Sequence, residues 1–154
     1  MKLTTKKDIE APIAQVWANL ADHEAWERSA MRRGVEVERC DTLRESGPGM
    51  KWKARFAFRG KPRDAELTLT EMTPQHSLGV TGLSDAIEVA STVELIEMSA
   101  RRTRLHVVCE IKPRSLGARL FLQSLRLARA KLDRRFDSKI GQLATELENR
   151  ARKG

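Results

Sequence analysis

The sequence predicts an α+β domain: an antiparallel sheet of about seven strands wrapped around a long C-terminal helix, with two short helices after the first strand. Three observations carry this. Residues 2–9 alternate with period two, and Ala11-Pro12 and two short helical patterns follow at once. Between residues 35 and 111 come several period-two segments separated by turn residues, with no crossover helix between them, so the strands join as hairpins and the sheet is an antiparallel meander. From about 115 to 152 there is no proline, and apolar residues recur at helical steps.

In the first strand Leu3, Thr5, Lys7 and Ile9 share one face. Pro12 ends it, since proline cannot donate to a ladder and suits a helix's first turn. Ile13, Val16, Trp17 and Leu20 then fall at helical spacing. Asp22 is the expected N-cap of a second helix carrying Ala25, Trp26 and Met31, and Gly34 is its expected stop. Val35 and Val37 begin the strand series. Ser46-Gly47-Pro48-Gly49 is a turn cluster. Met50, Trp52, Ala54, Phe56 and Phe58 then share one face, and Lys51, Lys53, Arg55 and Arg59 the other. After Gly60-Lys61-Pro62, Ala65, Leu67 and Leu69 oppose Asp64, Glu66, Thr68 and Thr70, so a basic outer face meets an acidic and hydroxyl one. Leu78 and Val80, then Ser91, Val93 and Leu95, then Leu105, Val107, Cys109 and Ile111 mark the remaining strands. Phe121, Leu125, Ala128, Leu132, Phe136, Leu143 and Leu147 form one stripe of a single expected helix.

The chain has 154 residues, enough for one domain over 1–154 with a real core. No apolar run reaches the ~20 residues of a membrane span, and the polar start Met1-Lys2-Leu3-Thr4 has no secretory pattern, so the expected location is the cytoplasm. Cys40 and Cys109 are then expected as reduced thiols. Two cysteines and three histidines stand in no ligand-like spacing, so no metal and no cofactor is expected. The net charge of +8 is uneven. Residues 1–111 carry 17 Lys/Arg and 17 Asp/Glu, while residues 112–154 carry 12 against 4. A neutral body with one basic helix points to a local docking surface rather than to specific nucleic-acid binding.

The segment Asp8-Ile9-Glu10-Ala11-Pro12 with Val16-Trp17, Asp22 and Trp26 resembles the start of the START-like (SRPBCC) superfamily, the polyketide cyclase/dehydrase and lipid transport type. The resemblance implies a helix-grip fold over the whole chain and an apolar ligand held between sheet and helix: a sterol, phospholipid, polyketide, hormone or quinone. It implies catalysis, as cyclisation or dehydration, in only a few members. This sequence departs in having no tyrosine, so a mechanism that uses a phenol cannot operate here.

Three functions follow as expectations. The first is binding or transfer of a small apolar ligand. Trp52, Phe56, Phe58, Leu67, Leu69, Leu95, Leu105 and Val107 are expected to face Phe121, Leu125 and Leu132, and either to line a cavity or to fill the core; Trp26 and Met31 would guard its mouth or simply pack. Phe56 and Phe58 are expected to matter more to a ligand than Val37. Lys7, Arg39, Arg63 and Ser91 lie on or near the inward phase as polar contacts, unless the cations pair or snorkel out. The second is a polyketide cyclase- or dehydratase-like enzyme, although no histidine has an evident partner and no catalytic residue stands out. The third is an interaction module: Leu116, Leu120 and Leu127, flanked by Arg119, Arg126, Lys131 and Arg134, would meet an anionic membrane or an acidic protein, unless the domain covers them. A homodimer stays open.

Overall fold

The computed structural model describes residues 1–153; Gly154, the last residue of the expected domain, lies outside the described residues. Strand β1 (Lys2–Ile9) is followed by helices α1 (Ile13–Leu20) and α2 (His23–Arg32), then by strands β2 (Glu36–Arg39), β3 (Lys51–Phe58), β4 (Lys61–Thr73), β5 (Ser77–Leu83), β6 (Ile87–Ser99) and β7 (Arg102–Pro113). Helices α3 (Leu116–Arg126) and α4 (Arg129–Lys153) complete the chain. The seven strands form one antiparallel sheet in the order β1-β7-β6-β5-β4-β3-β2. The two α1–α2 helices carry the chain from one sheet edge to the other, and the sheet closes around α4 in a helix grip.

The local chemistry matches the elements. Asp22 caps α2 by accepting the Ala25 N–H at 3.2 Å. Gly34, at φ +85, ends it in the left-handed region that glycine enters without a Cβ clash. The register pairs Lys53 with Glu66 and Arg55 with Asp64, so the charged outer faces of β3 and β4 do meet. Buried Thr103 donates its hydroxyl to the Ala11 carbonyl at 2.8 Å, which ties the chain reversal before Pro12 to β7.

The core gathers where β1, β6 and β7 meet α1 and α4. Ile9, Val16, Leu20, Leu95, Leu105, Val107 and Leu147 are buried together there.

The C-terminal segment differs from the single helix expected over 115–152. It breaks at Leu127 and Ala128, where the N–H groups bond back three residues, to the Ser124 and Leu125 carbonyls. The Ser124 hydroxyl donates to the Phe121 carbonyl at 2.6 Å. That carbonyl is the one the Leu125 N–H would use in an undisturbed ladder, and such back-bonding bends helices. The expected single stripe is therefore split. In α3 the buried residues are Ala118 and Leu122, while α4 buries Ala144, Leu147 and Ala151.

Candidate functional site

On the half of the sheet away from the core, α2 stands off from the strands and leaves a cavity of about 350 Å³. Its roof is the α2 face that carries His23, Trp26, Glu27 and Ala30, residues three, four and seven apart. Its floor is Trp52 of β3, Leu67, Leu69 and Met72 of β4, and Leu78 and Val80 of β5. Val37, Met50 and Ser46 close the β2 end, and Leu20, Ala21 and Leu143 the side toward the core.

Polar groups concentrate at the β2 end. Trp52 Nε1 donates to Glu27 Oε1 at 2.9 Å, which holds the carboxylate at the wall. The His23 and Trp52 rings lie 6.4 Å apart, tilted by 51°. Arg39 Nη1 reaches His23 Nε2 at 3.5 Å, the long limit of a hydrogen bond. Arg39 is itself held by Asp41, which accepts its Nε at 2.8 Å and its Nη2 at 2.9 Å. Asp41 also accepts the N–H groups of Lys51 at 2.8 Å and Leu43 at 2.9 Å. The Arg39 guanidinium first, then these backbone donors, hold its carboxyl far below the usual carboxylate range. Asp41 thus fixes the loop between β2 and β3 and sets Arg39 behind His23. At the far side, Trp26 Nε1 donates to the Leu20 carbonyl at 2.7 Å, and the Arg150 guanidinium stacks 4.7 Å from its ring. Among the described residues no three His, Cys, Asp or Glu side chains gather as a metal site requires.

The structure divides the residues expected from sequence. Trp26, Trp52, Leu67 and Leu69 line the cavity. Leu95, Leu105 and Val107 do not: they are buried in the close-packed half, against α1 and α4. Phe56 is half-buried opposite Arg63, outside the cavity wall, and Phe58 lies at the hairpin tip, 50% exposed. Val37, expected to matter less than this pair, lines the wall instead. Met31 is 53% exposed and does not line the cavity. Phe121 and Leu125 of α3 and Leu132 at the start of α4 do not line the cavity; of the C-terminal helices only α4 reaches it, through Leu143.

None of the four inward polar candidates lines the cavity. Lys7 Nζ bonds Asp137 Oδ2 at 2.8 Å, Arg39 pairs with Asp41, Arg63 is exposed, and the Ser91 hydroxyl meets Cys109 Sγ at 3.4 Å. Both cysteines are free. His23 and Glu27 were missed although the signal existed: they share the α2 face that Trp26 and Ala30 mark as inward. Leu116, Arg119, Leu120, Arg126, Leu127, Lys131 and Arg134 are all exposed.

The sequence matches the family described as polyketide cyclase / dehydrase and lipid transport over residues 1–148, and the chain belongs to that family. Among solved structures it is similar to the Zhui aromatase/cyclase of Streptomyces sp. R1128, with a TM-score of 0.69 at 15% identity over 97% of this chain and 94% of that one. A START superfamily protein from Mycobacterium smegmatis gives 0.58 at 9% identity over 87% and 95%. Norcoclaurine synthase from Thalictrum flavum, in complex with dopamine and hydroxybenzaldehyde, gives 0.63 at 10% over 81% and 76%. At these identities the likeness is one of fold. No curated protein matches the chain in sequence. No helix among the described residues is long and apolar enough to cross a membrane.

Proposed function

We propose that this protein binds a small, mainly apolar molecule in the cavity under α2 and serves as its carrier or receptor. The observation that carries the reading is the cavity itself: about 350 Å³, walled by hydrocarbon, with His23, Glu27 and Ser46 grouped toward one end. That volume lies near the bottom of the ~300–1,000 Å³ range of small-molecule sites, so it suits a compact ring system or short chain better than a two-chain lipid. Lipid-, polyketide- and quinone-like molecules fit that description. The polar end adds an orientation. Glu27 uses Oε1 for Trp52 and leaves Oε2 for a ligand hydroxyl or other donor. The family's description supports an apolar ligand, as do neighbours named for aromatic chemistry.

A second reading, a cyclase- or dehydratase-like enzyme, is favoured by one observation. His23 and Glu27 stand one helical turn apart on the cavity wall, where an acid–base pair would have to be. Apart from these two side chains and the Ser46 hydroxyl the wall is hydrocarbon, thioether and indole, which favours carriage as the better-supported reading.

Native mass spectrometry of the purified protein, with fluorescence titration of 1-naphthol and naphthalene, tests both. Carriage predicts a co-purifying small mass or saturable binding of both probes, with naphthol tighter by a margin that Glu27→Gln removes. A bare mass with no binding of either probe overturns it. Conversion of a polyketide-like substrate, lost in both Glu27→Gln and His23→Ala while naphthalene binding persists, establishes the enzyme instead.

A further inference from the structure

Helix α3 presents a face that no part of the described chain covers. Leu116, Leu120 and Leu127 are 72%, 58% and 94% exposed. Leu116 and Leu120 stand one turn apart on the same face. Around them the charge is strongly one-sided: residues 114–135 hold seven Lys/Arg and one acidic residue, Asp133. Asp133 is taken by Arg129 at 3.0 Å. Arg119, Arg126, Lys131 and Arg134 are exposed, and no acidic side chain pairs with them among the described residues.

A second element extends this face. The β3–β4 hairpin turns on Arg59 and Gly60, both left-handed at φ 54 and φ 75. Glycine takes that conformation freely, and an arginine does not. Here the arginine has a use: its guanidinium sits 4.4 Å from the Phe121 ring of α3 and 5.7 Å from the ring of Phe58. It clamps the hairpin tip to the helix. Half-exposed Phe58 and exposed Lys61, at this tip, are thereby brought beside α3 from a distant part of the sequence.

We infer that α3 and the β3–β4 tip form a docking surface for a bilayer containing anionic phospholipid. The leucines and Phe58 enter the headgroup–acyl boundary, and the arginines and lysines lie at phosphate level. Charge decides against the alternatives. A second copy would bring the same positive face, and the body of the chain sums to zero and offers nothing acidic in excess to meet it. The leucines project singly from a convex helix, which suits a fluid surface better than a shaped protein groove. The inference does not depend on the cavity reading.

The test is co-sedimentation of the full chain with vesicles of mixed phosphatidylcholine and phosphatidylglycerol, and with vesicles of phosphatidylcholine alone, beside thermal melts and size exclusion. The expected result is binding to the anionic vesicles that weakens on the order of tenfold or more when salt screens it or in Arg119→Glu/Arg126→Glu. Leu120→Ser/Leu127→Ser abolishes it with an unchanged melt and unchanged naphthol binding. Arg59→Asn keeps the turn, releases the tip and weakens binding severalfold. Equal binding to neutral vesicles, wild-type binding by the arginine pair, or unfolding of the leucine pair each overturns the inference. So does a dimer that the leucine pair dissolves, since a second copy would then be what covers this face.

Discussion

Leu67 and Leu105 are both inward leucines of long strands, and truncating each to alanine separates a cavity wall from a core. Leu105 is fully buried among Ile9, Val16 and Leu147. A Leu→Ala change there adds a new void to the lost transfer energy and costs about 2.7–5 kcal/mol. Leu67 is half-buried and already faces the 350 Å³ cavity. Its truncation loses roughly half of the ~1.5–3 kcal/mol of a fully buried leucine, or about 1 kcal/mol. At ~2–4 °C per kcal/mol for a chain of this length, Leu105→Ala lowers Tm by roughly 5–20 °C and Leu67→Ala by about 2–4 °C. Ligand then moves the two apart again. A probe at tenfold its Kd stabilises by about 1.4 kcal/mol, roughly 3–6 °C. Leu105→Ala keeps that increment, Leu67→Ala reduces it, and Val80→Trp, which fills the floor, removes it. Melts followed by far-ultraviolet circular dichroism, with and without 1-naphthol, read all three. Equal penalties for the two leucines with no naphthol increment in the wild type would refute the cavity as a site.

Two glycines of β5 should respond oppositely to alanine. A Cβ on Gly79 would lie 2.9 Å from Thr70 Oγ1 and 3.1 Å from Glu71 Cβ, at the β4 bulge, so Gly79→Ala should cost ~1–3 kcal/mol in urea melts. A Cβ on Gly82 would press Leu67 Cδ2 at 3.1 Å, but that end can swing into the cavity; Gly82→Ala should keep its urea midpoint and bind naphthol more weakly. Stability should also fall in acid. Asp8, Asp41 and Asp137 all have lowered pKa values in the fold, through Arg104, Arg39 and Lys7 respectively. Their contribution is complete above the unfolded carboxylate value near pH ~4 and is lost as pH drops through the folded values. Asp41→Asn should lower stability at neutral pH and flatten that acid limb, which pH-dependent urea midpoints would show.

Element order, strand faces, the Asp22 cap and the Lys/Arg-to-Asp/Glu pairing of β3 with β4 were legible in sequence because periodicity and capping are local. The division of the apolar face into core and cavity was not. Leu67, Leu95 and Leu105 have the same pattern, and only the stance of α2 over β2–β5 gives one a void and the others packed neighbours. Phe56 and Phe58 keep the inward phase, yet the phase does not say that β3 outruns the helices and leaves Phe58 at an open tip. The helix break falls in an otherwise unbroken helical pattern, marked only by the Ser124 hydroxyl that bonds back to the Phe121 carbonyl. The mixed use of the α2 face could have been read: His23 and Glu27 lie in step with Trp26, and a wall that is apolar except at one end looks, in sequence, like an ordinary amphipathic helix.

The pairing of β1 with β7 has a consequence for how the chain reaches this state. Lys2 stands opposite Glu110 and Ile9 opposite Thr103, so one edge of the sheet joins positions about a hundred residues apart. Strands β2 to β7 can zip up as successive hairpins at little loop-closure cost. The part of their inner face that carries Leu95, Leu105 and Val107 is covered by α1 and α4, and α4 is linked to the β1 edge by Lys7 to Asp137 and by the Glu10 N–H to Glu148. Such topology belongs to the slower folders, in the range of milliseconds to seconds. The half-built meander, with Leu95, Leu105 and Val107 open to solvent, is the species from which misassembly would start. Kinetic competition between closing this seam and aggregating should therefore be decided by the far end of α4, through Leu147 and Ala151, rather than by any hairpin of the sheet.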